Sequence, residues 1–198
     1  MNTAVFATPL ADRMRPATLE GFFGQEELVG DKSFLREAIQ ADNVPSMILW
    51  GPPGSGKTTL AYIISQQTHA EFVQISAVSS GLKDLREILV KAEVNRGQSK
   101  KTILFIDEIH RWNKAQQDAL LPYVEKGTVT LIGATTENPS FEVNSALISR
   151  TRVLVLQKLG KDAIKQILNH ALEDKTNGLG DTKIEISDDS LDLMARLA

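Results

Sequence analysis

The feature that most constrains this sequence is the eight-residue run G-P-P-G-S-G-K-T at residues 51–58. It matches the pattern G-x-x-x-x-G-K-[ST], follows the apolar run 47–50, and opens a segment whose apolar residues recur at helical spacing. In such a strand–loop–helix unit, backbone N–H groups turn inward around an anion, and the helix N-terminus adds the positive end of its dipole. The sequence therefore predicts a binding site for a nucleoside triphosphate.

The residues of this phosphate loop are expected to have different tasks. The Lys57 ammonium would reach the β- and γ-phosphates, and the Thr58 hydroxyl would hold Mg²⁺. An ordinary Gly/Pro turn before a surface helix is the alternative, and the complete motif in its expected context argues against it. The predicted nucleotide-binding residues of the loop are Gly51, Pro52, Pro53, Gly54, Ser55, Gly56, Lys57, Thr58 and Thr59.

Two carboxylates follow a second apolar run. Residues 102–106 read T-I-L-F-I, which is typical of a parallel strand covered on both faces, and Asp107 and Glu108 come next. Open α/β sheets bind their ligands at the carboxyl ends of the strands. We therefore expect Asp107 to hold Mg²⁺ and Glu108 to orient or deprotonate the attacking water. A solvated acidic strand end is the alternative, and the phosphate loop upstream argues against it.

Two further residues are candidates for the same site. Thr135 follows the apolar run 129–134 and could hydrogen-bond a phosphate oxygen or the lytic water, and a plain turn hydroxyl is an equal alternative. Arg150 follows a short helical stretch at residues 145–147. An arginine at a helix end is usually a surface charge or a partner of the helix dipole. Here we favour a finger that stabilises transition-state charge in a neighbouring subunit.

Apolar runs alternate with helical patterns along the chain, which predicts right-handed crossovers and a parallel sheet. The predicted fold is an α/β P-loop nucleoside triphosphatase with three αβα layers, followed by the start of a small helical lid. The expected strands are residues 47–50, 72–75, 102–106, 129–134 and 153–156. The expected helices are residues 32–41, the stretch after the phosphate loop, one from Asp84, one through residues 119–124 with a kink at Pro122, residues 145–147, and two beyond Gly160. We expect an N-terminal segment at residues 1–45, the ATPase core at 46–158 and a partial lid at 159–198.

Composition narrows the function further. At 198 residues and 42% apolar, the chain can bury one sizeable core and a small second unit. A net charge of −3 gives no global basic field that would attract nucleic acid. Because there is no cysteine, disulfides, Cys-ligated zinc and a thiol nucleophile are excluded. The three histidines have no metal-ligand spacing, so Mg²⁺ on the nucleotide is the expected metal.

No targeting signal is visible in the sequence. Residues 1–9 lack the basic and apolar regions of a secretory signal, and no apolar run approaches membrane-spanning length. We therefore expect a cytoplasmic protein without a membrane partner. A helical pattern from about Ser187 is still running at Ala198, which suggests a fragment of a longer polypeptide.

Three runs carry a resemblance to a known family. They are residues 10–16 (L-A-D-R-M-R-P), residues 107–122, beginning D-E-I-H-R-W-N-K, and residues 133–144, beginning G-A-T-T-E-N-P-S. With the phosphate loop they resemble the AAA+ ATPase module in its clamp-loader branch. More narrowly, they resemble the family of replication-associated recombination protein A, whose eukaryotic counterpart is the Werner-helicase-interacting ATPase. The resemblance covers nearly the whole chain.

The resemblance implies a role for each candidate residue. The phosphate loop is Walker A, Asp107 and Glu108 are Walker B, Thr135 is sensor 1, and Arg150 is the arginine finger. It also implies that the N-terminal segment lies beside adenine, so that ATP is favoured over GTP. The guanine signature N-K-x-D is missing, because residues 113–116 read N-K-A-Q. The residues that would approach adenine are Leu10, Arg15, Gly24 and Gln25.

The resemblance further implies a DNA-dependent ATPase at stalled replication forks, working in fork maintenance, recombination and repair. Its partners would be DNA at single-strand gaps, ends and forks, single-strand-binding protein, and further copies of itself. The family's oligomerisation region and its sensor 2 arginine lie beyond Ala198, so the isolated fragment should hydrolyse ATP weakly. A bacterial protein of this kind would be associated with the nucleoid.

In clamp-loader relatives, the helix after the second strand and the loop after Walker B approach the nucleic-acid backbone. The residues in those places are Lys83, Arg86, Arg111 and Lys114. Phosphate contacts from them would be independent of sequence and sensitive to salt. Ordinary solvated charges are an equal alternative for each one, and Trp112 is expected to be a packing residue.

Other functions share the same motifs. A clamp-loader subunit and a Holliday-junction branch-migration motor have the same core. A nucleotide-gated scaffold would use ATP to set its assembly state, with slow turnover. A small-molecule P-loop kinase is a more distant alternative, since no acceptor site is recognisable.

Overall fold

A computed structural model of the chain describes residues 8–198. Most of residues 1–9, where a secretory signal was considered, therefore lies outside the described residues. Its sheet has five strands, all paired in parallel, in the order β2-β3-β4-β1-β5. The strands are β1 (Met47–Trp50), β2 (Glu71–Ser76), β3 (Thr102–Asp107), β4 (Thr130–Thr135) and β5 (Arg152–Val155). The predicted parallel α/β fold is confirmed.

Helices connect the strands and cover both faces of the sheet. They are α1 (Leu10–Arg13), α2 (Glu26–Val29), α3 (Phe34–Gln40), α4 (Lys57–Gln67), α5 (Leu82–Gly97), α6 (Lys114–Glu125), α7 (Pro139–Glu142), α8 (Ser145–Ile148), α9 (Lys161–Glu173) and α10 (Asp188–Leu197). Two 3-10 turns lie at Leu19–Gly21 and Ile109–Arg111.

Alternate residues of the central strands pack on opposite faces of the sheet, which explains their nearly continuous apolar sequences. On β1, Leu49 packs in a cluster with α3 and α4, whereas Ile48 packs in the cluster under α5 and α6. On β3, Phe105 packs in the first of these clusters and Leu104 packs in the second. The first cluster includes Leu35, Ile39, Leu60, Ile63 and Ile64, and the second includes Leu85, Leu89, Leu120 and Val124. The result is the predicted three-layer arrangement.

The strand register brings the carboxyl ends of the strands to one edge of the sheet. Ser76 pairs with Asp107 across β2 and β3. On the other side, Trp50 pairs with both Thr135 and Val155. Because the strands are parallel, the loops that follow them converge at this edge, where α/β proteins bind ligands.

Several short elements differ from the sequence predictions. No regular element was predicted before Pro16, but the start of that segment forms the one-turn helix α1. Helices α2 and α7 were not predicted, because four residues are too few to show a helical period. Helix α5 begins at Leu82, before the expected start at Asp84, and continues to Gly97. Helix α6 runs through Pro122, which is exposed, so that the hydrogen bond it cannot make falls on the solvent side.

The C-terminal part of the described chain is helical, as predicted. Helix α10 packs on α9, and Leu191 and Ala195 are its buried residues. Asp192 of α10 forms ion pairs with Lys161 and Lys165 of α9, the second at 2.6 Å. Between residues 8 and 198, no helix has both the length and the apolar character needed to cross a bilayer.

Candidate active site

The phosphate loop is anchored between β4 and β5 at the carboxyl edge of the sheet. The backbone N–H of Gly51 donates to the carbonyl oxygen of Thr135 at 3.2 Å, and the N–H of Leu156 donates to the Trp50 oxygen at 2.7 Å. On the other side of the edge, the Ala77 N–H donates to the Asp107 oxygen at 2.9 Å. These bonds place the start of the loop beside the ends of its neighbouring strands.

Two glycines give the loop a backbone that other residues rarely adopt. Gly54 has a φ of 75° and Gly56 a φ of 96°, both in the left-handed region. A Cβ on Gly56 would also lie 2.8 Å from the Phe22 ring. This curvature turns the loop into the start of α4, whose N-terminus carries the positive end of the helix dipole.

Lys57 is the buried cation of the loop. Its side chain turns back inside, where Nζ donates to the carbonyl oxygens of Gly51 at 2.7 Å and Pro52 at 2.9 Å. Burial lowers the pKa of Lys57, whereas the carboxylates of Glu108 and Asp107 act in the opposite direction. The charges of both carboxylates therefore act on the Lys57 ammonium, which places the three groups in one site.

Asp107 and Glu108 lie side by side where β3 ends. Asp107 Oδ1 accepts a hydrogen bond from the Glu108 backbone N–H at 3.1 Å. Glu108 has a φ of 56° and a ψ of 42°, a left-handed conformation that costs a non-glycine residue about 1–3 kcal/mol. This backbone turn ends the strand and sends the Glu108 side chain in a different direction from that of Asp107.

The side chains of Thr58 and Asp107 would hold Mg²⁺. Among residues 8–198, no group of three or more histidine, aspartate and glutamate side chains could hold a metal ion by itself. One hydroxyl and one carboxylate suit Mg²⁺, which commonly has few protein ligands and takes the others from phosphates and water.

His110 joins two of the predicted site residues and was not singled out from the sequence. Its side chain is 7% exposed, and Nε2 lies 3.2 Å from Glu108 Oε2. On the other side of the ring, Nδ1 lies 3.0 Å from Thr135 Oγ1. Its position two residues after Glu108, at the carboxyl end of a buried strand, was the signal in the sequence.

The hydroxyl of Thr135 is engaged by protein groups. Thr135 is fully buried, and besides the contact with His110 its Oγ1 accepts a hydrogen bond from the Glu137 N–H at 3.0 Å. The same oxygen lies 3.2 Å from the Glu137 carbonyl oxygen. Thr135 therefore lies at the site edge as expected, and its contact with phosphate or water stays a prediction.

A cavity of about 250 Å³ lies beside the phosphate loop. The N-terminal segment lines it with Arg15, Phe22 and Phe23, and α9 contributes Ile167 and His170. Its size is just below the ~300 Å³ at which ligand pockets usually begin. Of the four residues expected beside adenine, Arg15 is among those that line the cavity. The others that line it are Ala11, Met14, Pro16, Gly21, Gly54, Ser55, Gly56, Thr59 and Leu159.

Leu10, Gly24 and Gln25 do not line this cavity. Leu10 begins α1, and Gly24 has a φ of 79° close to Leu159. Gln25 is buried, and its Nε2 donates to the carbonyl oxygens of Ser55 at 3.2 Å and Gln157 at 2.8 Å. Its Oε1 accepts from the Gln157 N–H at 3.1 Å. Gln25 therefore ties the N-terminal segment to the phosphate loop and to the chain after β5.

Arg150 lies on the surface beside α6 and α8. Its Nη2 is 2.6 Å from Glu125 Oε1, and its Nη1 donates to the Ala146 carbonyl oxygen at 2.8 Å and to Ser149 Oγ at 2.9 Å. These contacts direct the guanidinium toward the ends of two helices and not toward the phosphate loop of its own chain.

The four basic residues considered for DNA are all exposed, and they flank one buried contact. Trp112, 3% exposed, donates from Nε1 to the Ser80 carbonyl oxygen at 3.2 Å, so its prediction as a packing residue is confirmed. The contact joins the loop before α5 to the loop before α6. It therefore brings together the segments that carry the four basic residues, Lys83, Arg86, Arg111 and Lys114.

A parallel sheet whose carboxyl edge carries a phosphate loop, a buried lysine and two consecutive carboxylates defines a P-loop nucleoside triphosphatase. Comparison with known families narrows this class. Residues 47–160 match the family described as "ATPase family associated with various cellular activities (AAA)", and the chain belongs to that family of ATP-hydrolysing proteins.

Curated relatives confirm the narrower resemblance. The chain is 55% identical over 187 residues to replication-associated recombination protein A of Haemophilus influenzae, covering 94% of this chain and 42% of that protein. It is 57% identical over 178 residues to the protein of that name from Coxiella burnetii, covering 90% and 40%. With ATPase WRNIP1 of Dictyostelium discoideum it shares 46% identity over 190 residues, covering 96% and 22%. The chain thus spans about two-fifths of the length of these bacterial relatives.

Solved structures agree with the fold. Thermotoga maritima RuvB, described as a Holliday junction branch migration motor, matches with a TM-score of 0.72 and 32% sequence identity. The match covers 92% of this chain and 59% of the RuvB chain.

Proposed function

We propose that this chain is the ATPase core of a DNA-dependent ATPase that acts in replication-associated recombination. The observation that carries the proposal is the convergence of Lys57, Asp107 and Glu108 at the carboxyl edge of the sheet, in a chain 55% identical to a protein named for that process. The site supports ATP hydrolysis, and the relatives' names support the setting in which hydrolysis is used.

The proposed reaction is attack of water on the γ-phosphorus of ATP. Glu108 accepts the proton of the attacking water, the bond from γ-phosphorus to the bridging oxygen breaks, and ADP and phosphate leave. Lys57 binds the β- and γ-phosphates, and the side chains of Thr58 and Asp107 hold Mg²⁺, which when bound neutralises charge on the phosphates. A contact of Thr135 with the γ-phosphate or the water requires its hydroxyl to give up a contact with His110 or Glu137.

The cavity beside Gly54 and Gly56 is proposed to hold the adenine base. Its lining includes Phe22, Phe23 and Ile167, which suit the flat faces of a purine. The cavity draws on all three parts into which we propose to divide the chain, residues 1–45, 46–158 and 159–198.

A second copy of the chain is proposed to complete the site. Arg150 directs its guanidinium toward α6 and α8, so that a phosphate contact would be made across an interface. The finger role therefore implies a homo-oligomer, with the rest of the longer protein holding the subunits together.

DNA is proposed to bind the surface around Lys83, Arg86, Arg111 and Lys114. These exposed residues lie on segments joined by the Trp112–Ser80 hydrogen bond, at the edge of the sheet that also carries the phosphate loop. A nucleic-acid backbone here would be close enough to affect the loop after β3, and hence Glu108. From the family resemblance of the sequence we further propose single-strand gaps, ends and forks as the DNA structures and single-strand-binding protein as a partner. DNA as the partner would put the protein in the cytoplasm, at the nucleoid of a bacterium.

The test is the ATPase rate of the full-length protein titrated with gapped, forked and duplex DNA at one salt concentration. We expect gapped and forked DNA to raise the rate more than duplex DNA of the same length. A Glu108→Gln variant is measured in parallel, and its residual rate is subtracted as the contribution of any contaminating ATPase. A rate that is the same with and without every DNA would overturn the DNA-dependent assignment.

The likeness to RuvB favours branch migration as the second candidate. A synthetic four-way junction distinguishes the two functions. The recombination ATPase proposed here is expected to hydrolyse ATP on gapped DNA without moving such a junction, whereas ATP-driven junction migration by the protein alone would favour the motor.

A further inference from the structure

We propose that His110 is a positioning residue that holds the Glu108 carboxylate in the orientation needed for water attack. The inference rests on the proposed role of Glu108 in hydrolysis. It starts from the position of the imidazole, which bridges these two residues and is almost fully buried.

The polarity of the bridge follows from the groups at its two ends. An ionised carboxylate can only accept, so the 3.2 Å contact requires His110 Nε2 to carry a hydrogen and donate it to Glu108. In a neutral ring, Nδ1 then accepts from the Thr135 hydroxyl at 3.0 Å. In a charged ring, Nδ1 donates to the same oxygen. Either way the Glu108 contact is kept, and Thr135 fixes the plane of the ring.

The ring restrains a side chain that would otherwise be free. Glu108 is 31% exposed, and a glutamate with several rotatable bonds loses orientation unless a fixed partner holds it. Thr135 Oγ1 accepts a hydrogen bond from the Glu137 N–H at 3.0 Å. The contacts that lead from Thr135 through His110 to Glu108 therefore begin at a backbone group. A buried donor of this kind supplies the orientation.

The Glu108 carboxylate lies near enough to the phosphate loop for its charge to act on the Lys57 ammonium. That charge opposes the effect of burial, which lowers the pKa of Lys57. The carboxylate that His110 holds is therefore part of the same site as the loop.

Replacing His110 with glutamine or with asparagine distinguishes a positioning role from a packing role. In His110→Gln the amide nitrogen can reach the place of Nε2 and still donate to Glu108. In His110→Asn the amide can reach the place of Nδ1 and contact Thr135, but it is too short for Glu108. Misplacement by about 1 Å costs up to ~10²-fold in rate, so we expect Asn to lower kcat by ~10–100-fold and Gln to keep most of it.

The experiment measures kcat, KM and ATP affinity of both variants in the full-length protein, with thermal unfolding as the test of folding. Positioning predicts that KM, ATP affinity and unfolding temperature stay near wild type while kcat separates Gln from Asn. Equal loss of kcat in both variants, or a loss that follows the unfolding temperature, would overturn the inference.

A double variant distinguishes this inference from the proposed function. If His110 acts through Glu108, then His110→Asn should lower turnover no further in a Glu108→Gln background. Loss of turnover in Glu108→Gln with wild-type kcat in His110→Asn would make the His110 inference alone wrong. Wild-type turnover in Glu108→Gln would make both wrong.

Discussion

Arg150 forms an ion pair with Glu125, with 2.6 Å between Nη2 and Oε1. The two side chains are 40% and 46% exposed, and a pair this exposed is worth about 0–1 kcal/mol. The pair can therefore orient the guanidinium without holding it strongly. An arginine finger that leaves Glu125 for the phosphates of a neighbouring subunit needs an ion pair that orients it and breaks at low cost.

The first prediction concerns this finger. Arg150→Ala should lower kcat of the full-length protein by ~10³-fold or more, with ATP affinity little changed, because the charge acts in the transition state. Glu125→Gln is the matched variant, and it should change kcat far less, since it removes the weak pair and leaves the arginine. Steady-state kinetics and calorimetry of ATP binding check both.

Mixing two inactive variants tests whether the finger acts on its neighbour. Arg150→Ala subunits keep Glu108, and Glu108→Gln subunits keep Arg150, so mixed oligomers contain some sites with both groups. We expect the mixture to recover ATPase activity that neither variant has alone. A mixture as inactive as its components would place Arg150 outside the neighbouring site.

The second prediction concerns the curvature of the phosphate loop. Gly56→Ala should abolish ATP binding, because its φ of 96° disfavours a side chain and the new Cβ would lie 2.8 Å from the Phe22 ring. Gly97→Ala, at the open end of α5, is the matched control and should leave binding intact. Calorimetry with ATP separates the two. Wild-type affinity in the Gly56 variant would show that the loop tolerates a different path.

The third prediction concerns the surface proposed for DNA. Lys114 and Lys126 are exposed lysines at opposite ends of α6, and only Lys114 is at the carboxyl edge of the sheet. Lys114→Glu should lower the DNA-stimulated part of the ATPase rate and reduce the salt slope of DNA binding by about 1, as loss of one phosphate contact predicts. Lys126→Glu should change neither. The same effect from both variants would indicate a general charge effect instead.

The fourth prediction concerns the proposed lid. Lys161 and Lys165 lower the pKa of Asp192 from 3.8 to about 2, so its folded-state pKa lies below its unfolded one. The ionised carboxylate therefore stabilises the folded protein above about pH 4, and this contribution is lost as the pH falls toward 2. Thermal unfolding of wild type and Asp192→Asn from pH 7 to pH 2.5 should show a difference that shrinks across that interval. The exposed Asp181, changed to Asn, is the control, and a difference independent of pH would contradict the assignment.

Local patterns were enough to predict the phosphate loop and the sheet. The loop is eight consecutive residues, and each buried strand is a short apolar run, so neither needs knowledge of distant contacts. Helices α2 and α7 escaped prediction because one turn shows no period. Pro122 was expected to disturb α6, but the chain continues as helix because the lost hydrogen bond faces solvent.

The rest of the site depends on contacts across the fold. Gln25 bonds to Gln157, 132 residues away, and the cavity joins Phe23 to His170 of α9, with 6.5 Å between the ring centroids. Neither pairing leaves a local signal in the sequence. His110 lies in the run that carried Glu108, but its role depends on Thr135, which the parallel register brings alongside.

The proposed reaction depends most on Glu108, and single-turnover hydrolysis in the full-length protein tests it directly. Glu108→Gln should bind ATP with near wild-type affinity and hydrolyse it ~10²–10⁴-fold more slowly, as expected for loss of a general base. Glu93→Gln, an exposed change on α5, is the control and should hydrolyse ATP at the wild-type rate. Wild-type hydrolysis by the Glu108 variant, with ATP bound, would contradict the account.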